Sequence, residues 1–192
     1  MPRFALCLLC LVALGGCSDN SAVTPSDQSS VSGSEQSSSS EPTESANGGV
    51  QTVEGDGFSL QAPSAWRVQK LSAGISVSSP TDLANAVPGV PISFALLPTQ
   101  PALPPDALIA SLTKSDKSLG DVESDTVVDV SGRKAQKLVT VKKYPSHTQR
   151  TIKLYVPMDG KVLVAQVQGD DKHISPVQSE IDRILSSLTI SK

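Results

Sequence analysis

No cysteine follows Cys17, histidine occurs only twice, and residues 18–50 contain neither a basic nor an aromatic side chain. The first absence excludes a disulfide framework and thiolate chemistry from the body of the chain. The second argues against a transition-metal centre, which takes more imidazole or thiolate ligands than two histidines far apart in sequence provide. The third marks a separate segment. Residues 18–50 hold 12 serines, five carboxylates and only two valines before Val50. Such a segment cannot bury enough apolar surface to offset its ordering entropy, so it is expected to be a disordered tether. As a flexible coil it would span roughly 30–35 Å. Long apolar runs are also scarce. The one from Phe4 to Leu14 falls short of the ~20 residues that cross a bilayer.

The formal net charge is −3, but the acidity belongs to the tether. Residues 51–192 hold 14 acidic and 15 basic side chains, and five aromatics: Phe58, Trp66, Phe94, Tyr144 and Tyr155. That length is enough for a core of its own, and its material must be Val, Leu and Ile.

At the N-terminus, Arg3 precedes the Phe4–Leu14 run, which ends in Leu14-Gly15-Gly16-Cys17 and then turns polar. A positive residue followed by a short apolar run has the form of a signal peptide. The Leu-Gly-Gly-Cys sequence resembles the lipobox of bacterial lipoproteins. The resemblance implies cleavage before Cys17, lipid on its sulfur and acylation of the new amine, and so a protein anchored to a membrane. Residues 1–16 are then a discarded leader, which removes Cys7 and Cys10 as a redox pair, and residues 17–50 are a lipidated linker. Ser18 and Asp19 at the next two positions favour the outer membrane where a cell has two.

From residue 51 the pattern is mostly of strands. Phe58–Ala62, Trp66–Leu71, Ile75–Ser78 and Ile92–Leu97 read as strands, then Asp106 to about Lys117 as a helix with Pro105 near its first turn. Val122–Val130, Lys134–Lys143, His147–Val156 and Lys161–Gln168 follow as strands, with Asp159-Gly160 as a hairpin turn. Ser175-Pro176-Val177-Gln178 has the form of a capping box opening a last helix. Val177, Ile181, Ile184, Leu185 and Leu188 form its apolar face. Strands with two separated helices predict an α+β domain built on an antiparallel sheet.

Three short stretches resemble the PsbP-like superfamily, which includes DcrB-type and LpqN-type bacterial lipoproteins. They are Phe58-Ser-Leu-Gln-Ala-Pro63-Ser-Ala-Trp66, Val130-Ser-Gly132-Arg-Lys-Ala135 and Ile184-Leu-Ser-Ser-Leu-Thr-Ile190. The resemblance implies an antiparallel sheet between helices over residues 51–192, and a protein that binds partners. No family binding residue maps onto a position of this chain.

Motifs for chemistry are weak. His173 follows Asp170-Asp171-Lys172 and His147 follows Tyr144-Pro145-Ser146; both read as turn residues, and no metal or cofactor is expected. Ser111 and Lys114 match S-x-x-K, but the S-D-N and K-T-G elements that accompany it in penicillin-recognising enzymes are missing. No catalytic residue is assigned. The strongest feature is a basic run, Arg133, Lys134, Lys137, Lys142, Lys143, Arg150 and Lys153, with no carboxylate between Asp129 and Asp159. Read as a surface, it fits an anionic envelope partner: lipid phosphate, a wall polymer or an acidic protein. Nucleic acid does not suit that location. Read structurally, it is a charged strand pair that resists aggregation. The expected function is a membrane-anchored, non-catalytic binding or assembly module of the cell envelope. The alternatives are a small-ligand or lipid carrier and a hydrolase without a visible motif.

Overall fold

The computed structural model describes residues 49–191, apart from 73, 83–86 and 102. The expected leader, Cys17 and the Ser-rich segment up to Gly48 lie outside the described residues. Ten strands and three short helices follow in the order β1 (Val50–Gly55), β2 (Phe58–Pro63), β3 (Arg67–Leu71), β4 (Gly74–Ser78), β5 (Pro91–Pro98), α1 (Pro105–Lys117), β6 (Asp121–Val130), β7 (Arg133–Lys143), β8 (Thr148–Met158), β9 (Lys161–Asp170), α2 (Asp171–Ile174), a 3₁₀ turn (Ser175–Val177), α3 (Gln178–Ser186) and β10 (Thr189–Ile190). Seven strands form one antiparallel sheet in the order β3-β4-β5-β9-β8-β7-β6. A second antiparallel sheet, β1-β2-β10, stands apart from it.

Period-two alternation decides which layer each strand feeds. On β9, Leu163, Ala165 and Val167 point into the main core, while Val162 and Val164 face the other way, toward α1. The core side is closed by the small sheet through Val53, Phe58 and Leu60, and by α2 and α3 through Ile174, Ile181, Ile184 and Leu185. The opposite face is covered in part by α1, whose Ile109 packs on Tyr155 and Val162, with Leu108 and Leu112 beside them. The large sheet therefore lies between α1 and a mixed layer of α3 and the small sheet. This is the expected α+β architecture, with a second sheet where one was expected.

Turn chemistry agrees with the sequence. The β6–β7 turn has Ser131 at φ 53° and Gly132 at φ 77°, positive at both central positions as a tight hairpin requires. The Gly132 amide donates to Asp129 Oδ1. Gly160, at φ 71°, turns β8 into β9. The last helix departs from expectation. It opens at Asp170, whose side chain accepts from the Lys172 amide, and Ser175 already has helical angles, so the Ser175–Gln178 capping box does not form. Pro176 has no N–H to continue the α-helical ladder, and the chain passes it as a 3₁₀ turn before resuming as α3. β1, which was not anticipated as a strand, begins at Val50 and pairs along its whole length with β2. Among the described residues no helix is long and apolar enough to cross a membrane.

Candidate binding surface

The seven basic side chains arise on two neighbouring strands, and pairing fixes how they are shared out. Leu138 pairs with Lys153 and Val141 with Arg150. With alternation, Lys134, Lys142 and Lys153 fall on the α1 face, and Arg133, Lys137, Lys143 and Arg150 on the opposite face. The seven do not make one surface.

Four of them are engaged by carboxylates from distant elements. Lys153 Nζ donates to Asp116 Oδ1 of α1 at 2.7 Å. Lys137 Nζ meets Asp182 of α3 at 2.8 Å. Arg150 is held by Glu123 of β6 at 2.9 Å and Asp171 of α2 at 2.5 Å. Arg133 reaches Asp159 at 3.3 Å and also donates to the Pro157 carbonyl. Burial works against the charge on Arg150, but the hydrogen bonds and charges of Asp171 and Glu123 outweigh it and hold its pKa above the ordinary value. These pairs tie α1, α2 and α3 to the sheet, and its edge strand β6 to β8. The described structure pairs none of Lys134, Lys142 and Lys143 with a carboxylate; all three are exposed, and Lys142 Nζ lies 5.3 Å from the centre of the Tyr144 ring.

Asp116 has a second role. It also accepts a hydrogen bond from the hydroxyl of Tyr155, a side chain that is fully buried. Burial first, then the hydrogen bond and charge of Asp116, push the Tyr155 phenol far above its ordinary pKa and keep it neutral. Asp116, Lys153 and Tyr155 thus form a closed polar cluster under α1. Beyond the helix end, a recess of about 80 Å3 is lined by Lys142, Lys153, Thr140, Thr151, Gln149 and Gln168, with Leu119, Leu138 and the Asp116 carboxylate completing the wall. Because Asp116 already engages Lys153, the ammonium left for an anion at this recess is that of Lys142, with the Thr hydroxyls and Gln amides beside it.

The remaining candidates are scattered. Ser111 and Lys114 are both exposed on α1, with no hydrogen bond between them. His147 stacks on Tyr144 in the β7–β8 hairpin, ring centres 4.7 Å apart. His173 lies within α2 instead of in a turn. Among the described residues no group of three His, Cys, Asp or Glu side chains could hold a metal ion. The ion-pair network is what sequence reasoning missed. Its acids, Asp116, Glu123, Asp171 and Asp182, lie outside the basic run and carried no local signal toward it.

No protein-family model and no curated protein matches the sequence. Solved structures do. LpqN of Mycobacterium tuberculosis, described as involved in cell envelope biogenesis, shares 18% identity over 75% of this chain and 91% of its own, with a TM-score of 0.55. PA94 of Pseudomonas aeruginosa, a protein of unknown function, shares 13% over 74% of this chain and 98% of its own, with a TM-score of 0.52. The PsbP protein of the cyanobacterium Synechocystis sp. PCC 6803 covers 78% of this chain and 97% of its own at 13% identity, with a TM-score of 0.49. At such identities the LpqN and PA94 likenesses concern the fold, and they agree with the α+β domain described above.

Proposed function

We propose that this chain is a lipid-anchored, non-catalytic binding module of the bacterial cell envelope. Cys17 holds it to the membrane, and the Ser-rich segment tethers the α+β domain to that anchor. The observation that carries the reading is Leu14-Gly15-Gly16-Cys17 closing a short apolar run that begins after Arg3. Two other observations support it. The fold is shared with LpqN, itself described as involved in cell envelope biogenesis. The polar clusters of the domain join its layers together: Asp116, Lys153 and Tyr155 satisfy one another, as do Arg150, Glu123 and Asp171. The groups we assign to an anionic partner are therefore the unpaired lysines at the β7–β8 end of the basic run, Lys142 and Lys143, with the Thr- and Gln-lined recess beside Lys142; Lys134, also unpaired, lies at the other end of β7.

The test is the mass of the N-terminal peptide of the membrane-extracted protein. The expected peptide starts at Cys17 and carries a diacylglyceryl group, and Cys17→Ala abolishes both the cleavage and the added mass. A peptide that still includes residues 1–16, or an unmodified Cys17 in the membrane fraction, would refute the anchor.

A further inference from the structure

The β7–β8 hairpin reaches farthest at one end of the sheet: β9 accompanies it as far as Asp170, opposite Gln149, and β6 as far as Asp121, opposite Val141. Ser78 pairs with both Arg67 and Pro91, Ile92 with Val167, Val167 with Ile152, and Ile152 with Val139. At that row β3, β4 and β5 stop or start, but β7 and β8 run on to Lys143 and Thr148. The turn is closed by the Tyr144 amide donating to the His147 carbonyl at 2.8 Å. Every residue from Lys142 to His147 is exposed.

Its composition is specific. Lys142 and Lys143 are consecutive, so one lies on each face of the ribbon, and neither has an ion pair. Tyr144 stacks on His147 at an interplanar angle of 10° and stays 38% exposed. Leu119, which lines the recess together with Lys142, is 60% exposed. Opposing charge is limited. Glu123 and Asp171 are occupied by Arg150, and Asp170 by Lys172. Asp121, exposed opposite Val141, is the counter-charge that remains on the adjoining strand. Lysines flanking an exposed aromatic ring, with an apolar side chain alongside, match the chemistry of a bilayer interface: phosphate for the ammonium groups and the acyl boundary for Tyr144 and Leu119.

The place where the chain enters the fold points to the same surface. Gly49 accepts from the Ser64 amide, and the Gln51 side chain donates to the Pro63 and Trp66 carbonyls. Trp66 immediately precedes Arg67, at the hairpin end of the large sheet. The entry point and the tip are thus on the same end, about five strand spacings apart, or roughly 24 Å. A flexible tether entering at Gly49 leaves this end free to meet the leaflet that holds the anchor.

We propose that the Lys142–His147 tip, with Leu119, docks on an anionic phospholipid surface, namely the leaflet that holds the anchor. This deepens the envelope reading and rests on it for the choice of membrane, but the tip can be tested without the anchor. The chain from Ser18 onward keeps every described element of the fold. It is co-sedimented with phosphatidylcholine vesicles, with or without about one-third phosphatidylglycerol. Binding is expected only with the anionic lipid. Lys142→Gln with Lys143→Gln should lower the partition coefficient roughly thirtyfold, and Tyr144→Ala should lower it further. Lys70→Gln with Lys114→Gln, the same charge change away from the tip, should leave it within about twofold. Unaltered circular dichroism and thermal melting show that each variant is folded.

Absence of binding to the anionic vesicles overturns the docking site. So does equal loss in the two double variants, which would make the effect one of net charge alone. Binding to soluble polyphosphate as tight as to vesicles, at matched phosphate, would assign the tip to an anionic polymer and overturn the lipid reading. Because this chain lacks Cys17, these outcomes are independent of the peptide mass that tests the anchor.

Discussion

Replacing Asp116 should destabilise the domain more than any other single surface carboxylate. Asp116 lies one residue from the end of α1, where a negative charge opposes the helix dipole. On helix grounds alone its loss should be neutral or favourable. The contacts say otherwise. Its carboxylate is 12% exposed and takes hydrogen bonds from Lys153, 18% exposed, and from the buried Tyr155 hydroxyl. Asp116→Ala strands a buried phenol and leaves an ammonium without its counter-charge. Breaking a buried pair costs about 3–5 kcal/mol; the flexible stem of Lys153 can lift its amine toward solvent, which places the expectation near 3. At roughly 3 °C per kcal/mol for a domain of this size, the midpoint should fall by about 9 °C. Urea unfolding followed by fluorescence of the single tryptophan, the buried Trp66, gives the free energy directly. Lys153→Met completes a double-mutant cycle with an expected coupling of about 1–2 kcal/mol. A cost for Asp116→Ala below about 1 kcal/mol, or strictly additive single costs, would refute the view that this cluster fastens α1 to the sheet.

Two further outcomes follow from local geometry. The fold favours neutral Tyr155, so its folded pKa lies above the ordinary 10.0. That stabilisation is complete below about pH 10 and is lost as pH rises beyond it, because the unfolded chain ionises first. Tyr155→Phe should therefore flatten the alkaline arm of the stability–pH curve, and an unchanged slope would count against the buried phenol. A Cβ at Gly74 would come within 1.9 Å of the Phe94 carbonyl oxygen, whereas one at Gly160, φ 71°, would meet nothing within 4 Å. Gly74→Ala should thus abolish soluble, cooperatively melting protein, while Gly160→Ala should cost only the ~1–2 kcal/mol of left-handed strain. Similar melting curves for the two would contradict the β4–β5 packing.

Local rules carried much of this fold into the sequence. Alternation from Lys134 to Gln168 made three strands plain, Asp159-Gly160 marked a turn, and Ile181, Ile184 and Leu185 showed the buried stripe of α3. What was hidden depended on distant partners. β1 buries only Val53, so it has almost no apolar signature; β2 provides its pairing. The Ser175 capping signature was genuine as a pattern, but Asp170 captured the helix start five residues earlier. The basic run was visible as charge. Its division between two faces needed the register, and its neutralisation needed acids from α1, β6, α2 and α3.

The two-residue strand β10 has a consequence for the order in which the chain can fold. Thr189 and Ile190 pair with Ser59 and Phe58, the Ser59 and Thr189 hydroxyls meet at 2.7 Å, and the Ile190 amide donates to Ser131 Oγ at 3.0 Å. Three stretches spread over 130 residues are joined by β10, which follows every other described element in the chain. Contacts of such separation form late and slowly. The β1–β2 hairpin must wait, without its third strand, until β3 to β9 and the helices have been made. The large sheet can therefore be complete while the small one still lacks a strand, which makes β10 the closing latch of the domain.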